Sequence, residues 1–73
     1  MNKTLRFHPD NLQDREWYEF GYRDPSGRQQ QIVGQFMRLE AKAGTLWAWF
    51  DFDDGPEPYE CKSIEWATLY QDP

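Results

Sequence analysis

Apolar and polar side chains alternate with period two over most of this chain. From Trp17 to Arg23, Tyr18, Phe20 and Tyr22 share one face, and Glu19, Gly21 and Arg23 share the other. That is the pattern of a half-buried strand. Asp24-Pro25-Ser26-Gly27 stops it with the residue preferences of a type I turn, since Pro fixes φ and Asp bonds the backbone beyond it. A second, longer strand is predicted from Gln29 to about Leu39, with Ile32 and Phe36 on one face and Val33, Met37 and Leu39 on the other. Gly34 interrupts it and suggests a bulge or sharp bend. Ala41-Lys42-Ala43-Gly44 reads as a turn.

Thr45 to Asp53 alternates again, with Leu46, Ala48, Phe50 and Phe52 assigned to the core and Thr45, Trp47, Trp49, Asp51 and Asp53 to the opposite face. Asp54-Gly55-Pro56-Glu57-Pro58 is expected to be a loop, because two prolines cannot donate to a ladder. Tyr59 and Cys61 begin a further strand, Lys62-Ser63 forms a short turn, and Ile64 to Tyr70 is the last strand, with Ile64 and Trp66 inward. Ahead of the strands, Leu5 and Phe7 suggest a short strand or docking arm. Asp10 with Gln13 resembles a capping box, so a helical turn is expected from Asn11 towards Glu16. The expected fold is mainly β: a small antiparallel SH3/Sm-like barrel or curved sheet forming one domain over residues 1–73. An N-terminal arm or helical turn (1–16) precedes a β core (17–70). Its interior is expected to hold Tyr18, Phe20, Ile32, Phe36, Leu46, Ala48, Phe50, Ile64 and Trp66.

A domain of this length buries only about 60% of its unfolded surface. Its core must therefore be built from large side chains, and aromatics supply them at 18% of 73 residues. Cys61 is the only cysteine, so no internal disulfide can form, and a lone thiol suits a reducing compartment. The opening residues contain no apolar h-region, and no apolar run approaches the ~20 residues of a membrane span. The expectation is a cytoplasmic protein, in the host bacterium if phage-encoded.

The net charge of -5 is unevenly placed: residues 1–39 carry six basic and five acidic side chains (+1), and residues 40–73 carry two basic and eight acidic (-6). An acidic surface repels phosphate and favours a basic protein partner.

The chemistry that is missing narrows the function. His8 is the only histidine, so a nucleophilic triad would rest on it alone, and one Cys and one His fall short of a four-ligand zinc site. Asp51-Phe52-Asp53-Asp54-Gly55-Pro56-Glu57 has the composition of a calcium loop. However, its glycine is fifth from the first Asp, where an EF-hand needs it sixth. No Gly-rich phosphate cradle is present. The chain is therefore expected to be a monomer with no catalytic residues, no cofactor and no metal. The strongest candidate surface is the outward face of Thr45–Asp53. There Trp47 and Trp49 supply apolar anchors, and Asp51, Asp53, Asp54, Glu57 and Glu60 supply the field around them. The competing reading has the barrel, or Leu5, Phe7 and Leu12, covering both Trp.

The order of strands and turns resembles the Sm-like version of the SH3-like barrel. Tyr22-Arg23-Asp24-Pro25-Ser26-Gly27, Leu46-Trp47-Ala48-Trp49 and Tyr59-Glu60-Cys61-Lys62-Ser63-Ile64-Glu65 are similar to the core of a WYL domain and to the small bacterial inhibitor of the Rho terminator. The basic and aromatic ligand cluster of a WYL pocket is not evident in the C-terminal half. Length and acidity resemble those of small bacteriophage proteins that bind host RNA polymerase. These resemblances imply a non-enzymatic regulator that binds RNA polymerase or an associated factor and acts by occlusion or displacement, without contacting nucleic acid directly. Two alternatives stay open: an acidic nucleic-acid mimic of the anti-CRISPR or anti-restriction type, and an Sm-like nucleic-acid-binding module. A mimic needs carboxylates along a strip, whereas a protein-binding regulator needs a compact apolar anchor.

Overall fold

Five antiparallel strands form one sheet in the order β4-β3-β2-β1-β5. They are β1 (Trp17–Arg23), β2 (Gln29–Lys42), β3 (Thr45–Phe52), β4 (Gly55–Glu60) and β5 (Ile64–Leu69), in a computed structural model that describes residues 7–71. The first four strands form a meander, and β5 returns to the free side of β1. In a flat sheet β1 and β4 would lie about 14 Å apart, at 4.7–4.9 Å per strand. Instead the rings of Phe20 on β1 and Tyr59 on β4 meet at 5.2 Å, and those of Tyr22 and Tyr59 at 4.8 Å. The sheet is therefore rolled, and its concave face is the core. Phe20 and Phe50, stacked at 4.3 Å, lie fully buried at the centre, with Tyr18, Phe36, Ala48, Cys61 and Ile64 around them.

The turns form where local chemistry demands them. Asp24 Oδ1 accepts hydrogen bonds from the Ser26 and Arg28 backbone N–H groups, both at 3.0 Å, and from the Ser26 hydroxyl at 2.6 Å. Gly27 closes the turn onto the Asp24 carbonyl at 2.8 Å with φ of 89°. The β2–β3 hairpin has a two-residue connection, Ala43-Gly44, with φ of 53° and 81°. Positive φ at both positions matches the right-handed strand twist.

Several expectations change. The expected helical turn from Asn11 towards Glu16 is replaced by a 3-10 turn at Pro9–Asn11, and no side chain caps it. Arg15 and Glu16 instead bond the backbone of Phe36, which draws the segment out along β2. Phe7 and Leu12 pack on the core, whereas Leu5 lies outside the described residues. The predicted loop at Asp54–Pro58 is mostly strand, and only Asp53 and Asp54 make the turn. Pro56 and Pro58 fit because β4 is an edge strand. Their nitrogens occupy alternate positions in an unbroken ladder with β3, so Gly55, Glu57 and Tyr59 face β3 and the prolines face the open edge. Tyr59 belongs to β4, and Cys61 opens a 3-10 turn, Cys61–Ser63.

Two bulges displace side chains from the faces that alternation assigns. One, at Met37, puts Leu39 opposite Ala48 and against the core. The other, at Glu65, places Ile64 opposite Tyr22 but Trp66 opposite Gly21. Trp66 therefore leaves the core face and lays its indole on Gly21, where any Cβ would collide with it. Leu46 is 38% exposed rather than buried, because the β2–β3 hairpin extends past the ends of β1 and β4. Gly34 is not the bulge. It leaves room for Phe52, whose Cε1 would lie 2.6 Å from an added Cβ.

Two predictions follow from this packing. Replacing Gly by Ala at an unstrained position normally stabilises a protein by about 0.4–1 kcal/mol. Gly34→Ala is expected to do the opposite and cost about 1–3 kcal/mol through overpacking against Phe52. Urea denaturation reads the sign, and Phe52→Leu should relieve part of the loss.

The second prediction concerns acid. Hydrogen bonds from the Ser26 hydroxyl, the Arg28 N–H, Gln30 and the Ser26 N–H hold Asp24 down at about 2, from an ordinary 3.8. A depressed folded-state pKa contributes stability above the unfolded value, and that stability is lost as pH falls through the folded one. The stability of the parent should therefore decline between pH 3.8 and about 2 more steeply than that of Asp24→Asn. Equal slopes in acid titration monitored by tryptophan fluorescence would refute the assignment.

Candidate functional site

Strand pairing arranges the convex face of β2, β3 and β4 in rows. Glu40, Trp47 and Glu60 form one row; Arg38, Trp49 and Pro58 form the next; Gln35, Asp51 and Pro56 form the third. Trp47 and Trp49 alternate with the buried Ala48 and Phe50 and are half-buried on the opposite face. Residues two apart on a strand stand about 6.5–7 Å from each other, so the two indoles project from neighbouring positions on one face. With Glu40, Lys42, Thr45 and Pro58 they line a shallow groove of about 490 Å³. Phe7 and Leu12, which might have covered these rings, pack on the core instead.

Polar contacts hold the rings in place. The Trp49 indole Nε1–H donates to Glu40 Oε1 at 2.8 Å. The Arg38 guanidinium lies 4.9 Å from the centre of the Trp49 ring, within cation–π range. Arg38 and Glu40 thus fix Trp49 from β2, while Pro58 borders it from β4. Trp47 lies between the carboxylate-bearing Glu40 and Glu60, and Lys62 approaches Glu60 at 3.9 Å.

The structure divides the acidic residues singled out in the sequence. Asp51 and Glu60 share the convex face with the two Trp. Asp53 and Asp54 form the β3–β4 turn, beside Trp17, Val33 and Phe52. Glu57 pairs with Phe50 on β3, so its side chain lies on the face away from Trp47 and Trp49. Burial and the neighbouring Glu57 carboxylate both raise the pKa of Tyr59 on that face.

Reasoning from single-strand periodicity missed Glu40 and Pro58, which line the groove, and Arg38, which lies against the Trp49 ring; cross-strand pairing and the bulge at Met37 bring them there. It also missed Trp17, although Trp17 stands in phase with Glu19 and Arg23, a visible sign that it faces outward.

Among the described residues, no group of three or more His, Cys, Asp or Glu is placed to hold a metal ion. Burial raises the pKa of the Cys61 thiol, so it is a weak nucleophile. No described helix is long and apolar enough to cross a membrane. No protein-family model, curated protein or solved structure matches the chain.

Proposed function

We propose that this protein is a non-enzymatic regulator that docks the convex face of β2–β4 on a protein of the bacterial transcription machinery, RNA polymerase or an associated factor. It would act by occluding or displacing another ligand. The observation that carries the reading is the pair of indoles, Trp47 and Trp49, lining one open groove, with Trp49 held by Arg38 and Glu40. A fixed aromatic pair loses little side-chain freedom on binding and offers a large apolar contact. The excess negative charge of residues 40–73 supports a basic partner surface, and the resemblance to small acidic phage proteins supports the choice of machinery. The arrangement favours this reading over a nucleic-acid mimic. Its carboxylates do not follow one strip: Glu57 faces away from Glu60, and Arg38 and Lys42 interrupt the rows on β2.

Titration against bacterial RNA polymerase across a salt series tests this proposal. Binding should weaken as the Debye length falls from ~10 Å at 0.1 M to ~3 Å at 1 M. Trp47→Ala and Trp49→Ala should each leave the domain folded. Each should cost at least ~2 kcal/mol of binding, about a thirtyfold loss, mainly through faster dissociation. Were the two Trp core residues, the same changes would cost roughly 3–5 kcal/mol of stability. A folded double variant that binds as tightly as the parent would overturn the proposal.

A further inference from the structure

A second apolar surface lies outside the Trp47–Trp49 groove. Trp17 is 44% exposed and Val33 is 37% exposed. Trp17 pairs with Gln35 and Glu19 pairs with Val33, so Trp17 and Val33 are diagonal neighbours on the convex face of β1 and β2. With Phe52, Asp53 and Asp54 they line, among the described residues, a cleft of about 340 Å³ at the end of β3. Among the described residues no basic side chain lines it, and Glu19 adds a third acidic residue alongside. Neither Asp53 nor Asp54 takes part in an ion pair among the described residues. The nearby Arg15 lines a different depression, with Gln35, Met37, Arg38 and Asp51.

We propose that this cleft receives an arginine side chain presented by a partner protein, with the guanidinium on the Trp17 indole and hydrogen-bonded to Asp53 and Asp54. Charge complementarity selects the occupant. A purely apolar group would desolvate two carboxylates without pairing them, and a phosphate would be repelled. Arginine suits the cleft better than lysine. Its planar, weakly hydrated guanidinium stacks on an aromatic face while its edge donates to carboxylates, whereas an ammonium is a compact, strongly hydrated charge. The chain already contains the stacking half of this arrangement, since the Arg38 guanidinium lies over the Trp49 ring. At Trp17 the aromatic face and the carboxylates are present and the cation is left for a partner to supply. This site is independent of the Trp47–Trp49 groove and stands whether or not that groove docks on the transcription machinery.

The test is an NMR titration of the full, isotope-labelled chain with the blocked tripeptide Gly-Arg-Gly and with its neutral isostere, Gly-citrulline-Gly. The arginine peptide should shift the Trp17 indole N–H and the Asp53 and Asp54 amides saturably, with a dissociation constant on the order of 1 mM. The Trp47 and Trp49 indoles should stay in place. The citrulline peptide should give no saturable shift. Asp53→Asn with Asp54→Asn should weaken arginine binding about five- to twentyfold, and Asp54→Asn alone serves if the double variant loses its amide dispersion. Three outcomes would overturn the proposal: an unmoved Trp17 indole, equal shifts with citrulline, or unchanged affinity in the variant that keeps its fold. Saturation at Trp47 or Trp49 instead would also overturn it, by assigning the cation to the other groove.

Discussion

The contact on which the rest of this structure depends is that of Phe20 on β1 with Tyr59 on β4, across three strand spacings. Their rings meet at 5.2 Å only because the sheet rolls, and rolling gives a five-stranded sheet without a covering helix an interior of its own. Phe20, Phe50 and Tyr59 fill that interior with edge and stacked contacts. Such aromatic pairs each add about 0.5–1.5 kcal/mol beyond their area burial. Smaller residues could not bridge the same gap in so short a chain. The two interior-adjacent glycines serve the same end from opposite sides: Gly34 leaves space for Phe52 within the roll, and Gly21 lets Trp66 lie flat against its outside.

Because one face is used up by the core, every second residue of each strand is turned outward, and function must be sought there. The outward face is not uniform. Its β2–β4 half carries aromatic side chains already engaged by polar neighbours, as Trp49 is by Arg38 and Glu40. Its β1–β2 half carries Trp17 and Val33 beside an acidic turn, without such partners among the described residues. The chain thus offers a stiff surface and an unpartnered one, joined through a single sheet.

Much of this could be read from the sequence, for a physical reason. Period-two alternation reports the face of a residue directly, so Tyr18, Phe20, Phe36, Ala48, Phe50 and Ile64 were assigned to the interior. Asp24-Pro25-Ser26-Gly27 identified its turn through local bonding alone. Alternation fails wherever one residue is added to a strand, as the faces of Leu39 and Trp66 show, because a bulge is set by what the opposite strand requires. Pro56 and Pro58 signal a loop only if a strand is taken to have neighbours on both sides. The outward placement of Trp47 and Trp49 was legible. The separation of Glu57, Asp53 and Asp54 from them was not, since it depends on which strand lies beside β3 and where the turn ends.

The same two prolines bear on how copies of this chain can associate. A strand laid along the outer side of β4 would find carbonyl acceptors at Pro56 and Pro58 but no donor until Glu60. Half of its own hydrogen-bonding groups would go unanswered there. The opposite border, β5, contains no proline. The outer side of β4 is therefore a poor edge for joining copies end to end, whereas β5 and the stretch of β2 beyond Phe36, which β1 does not pair, keep their donors.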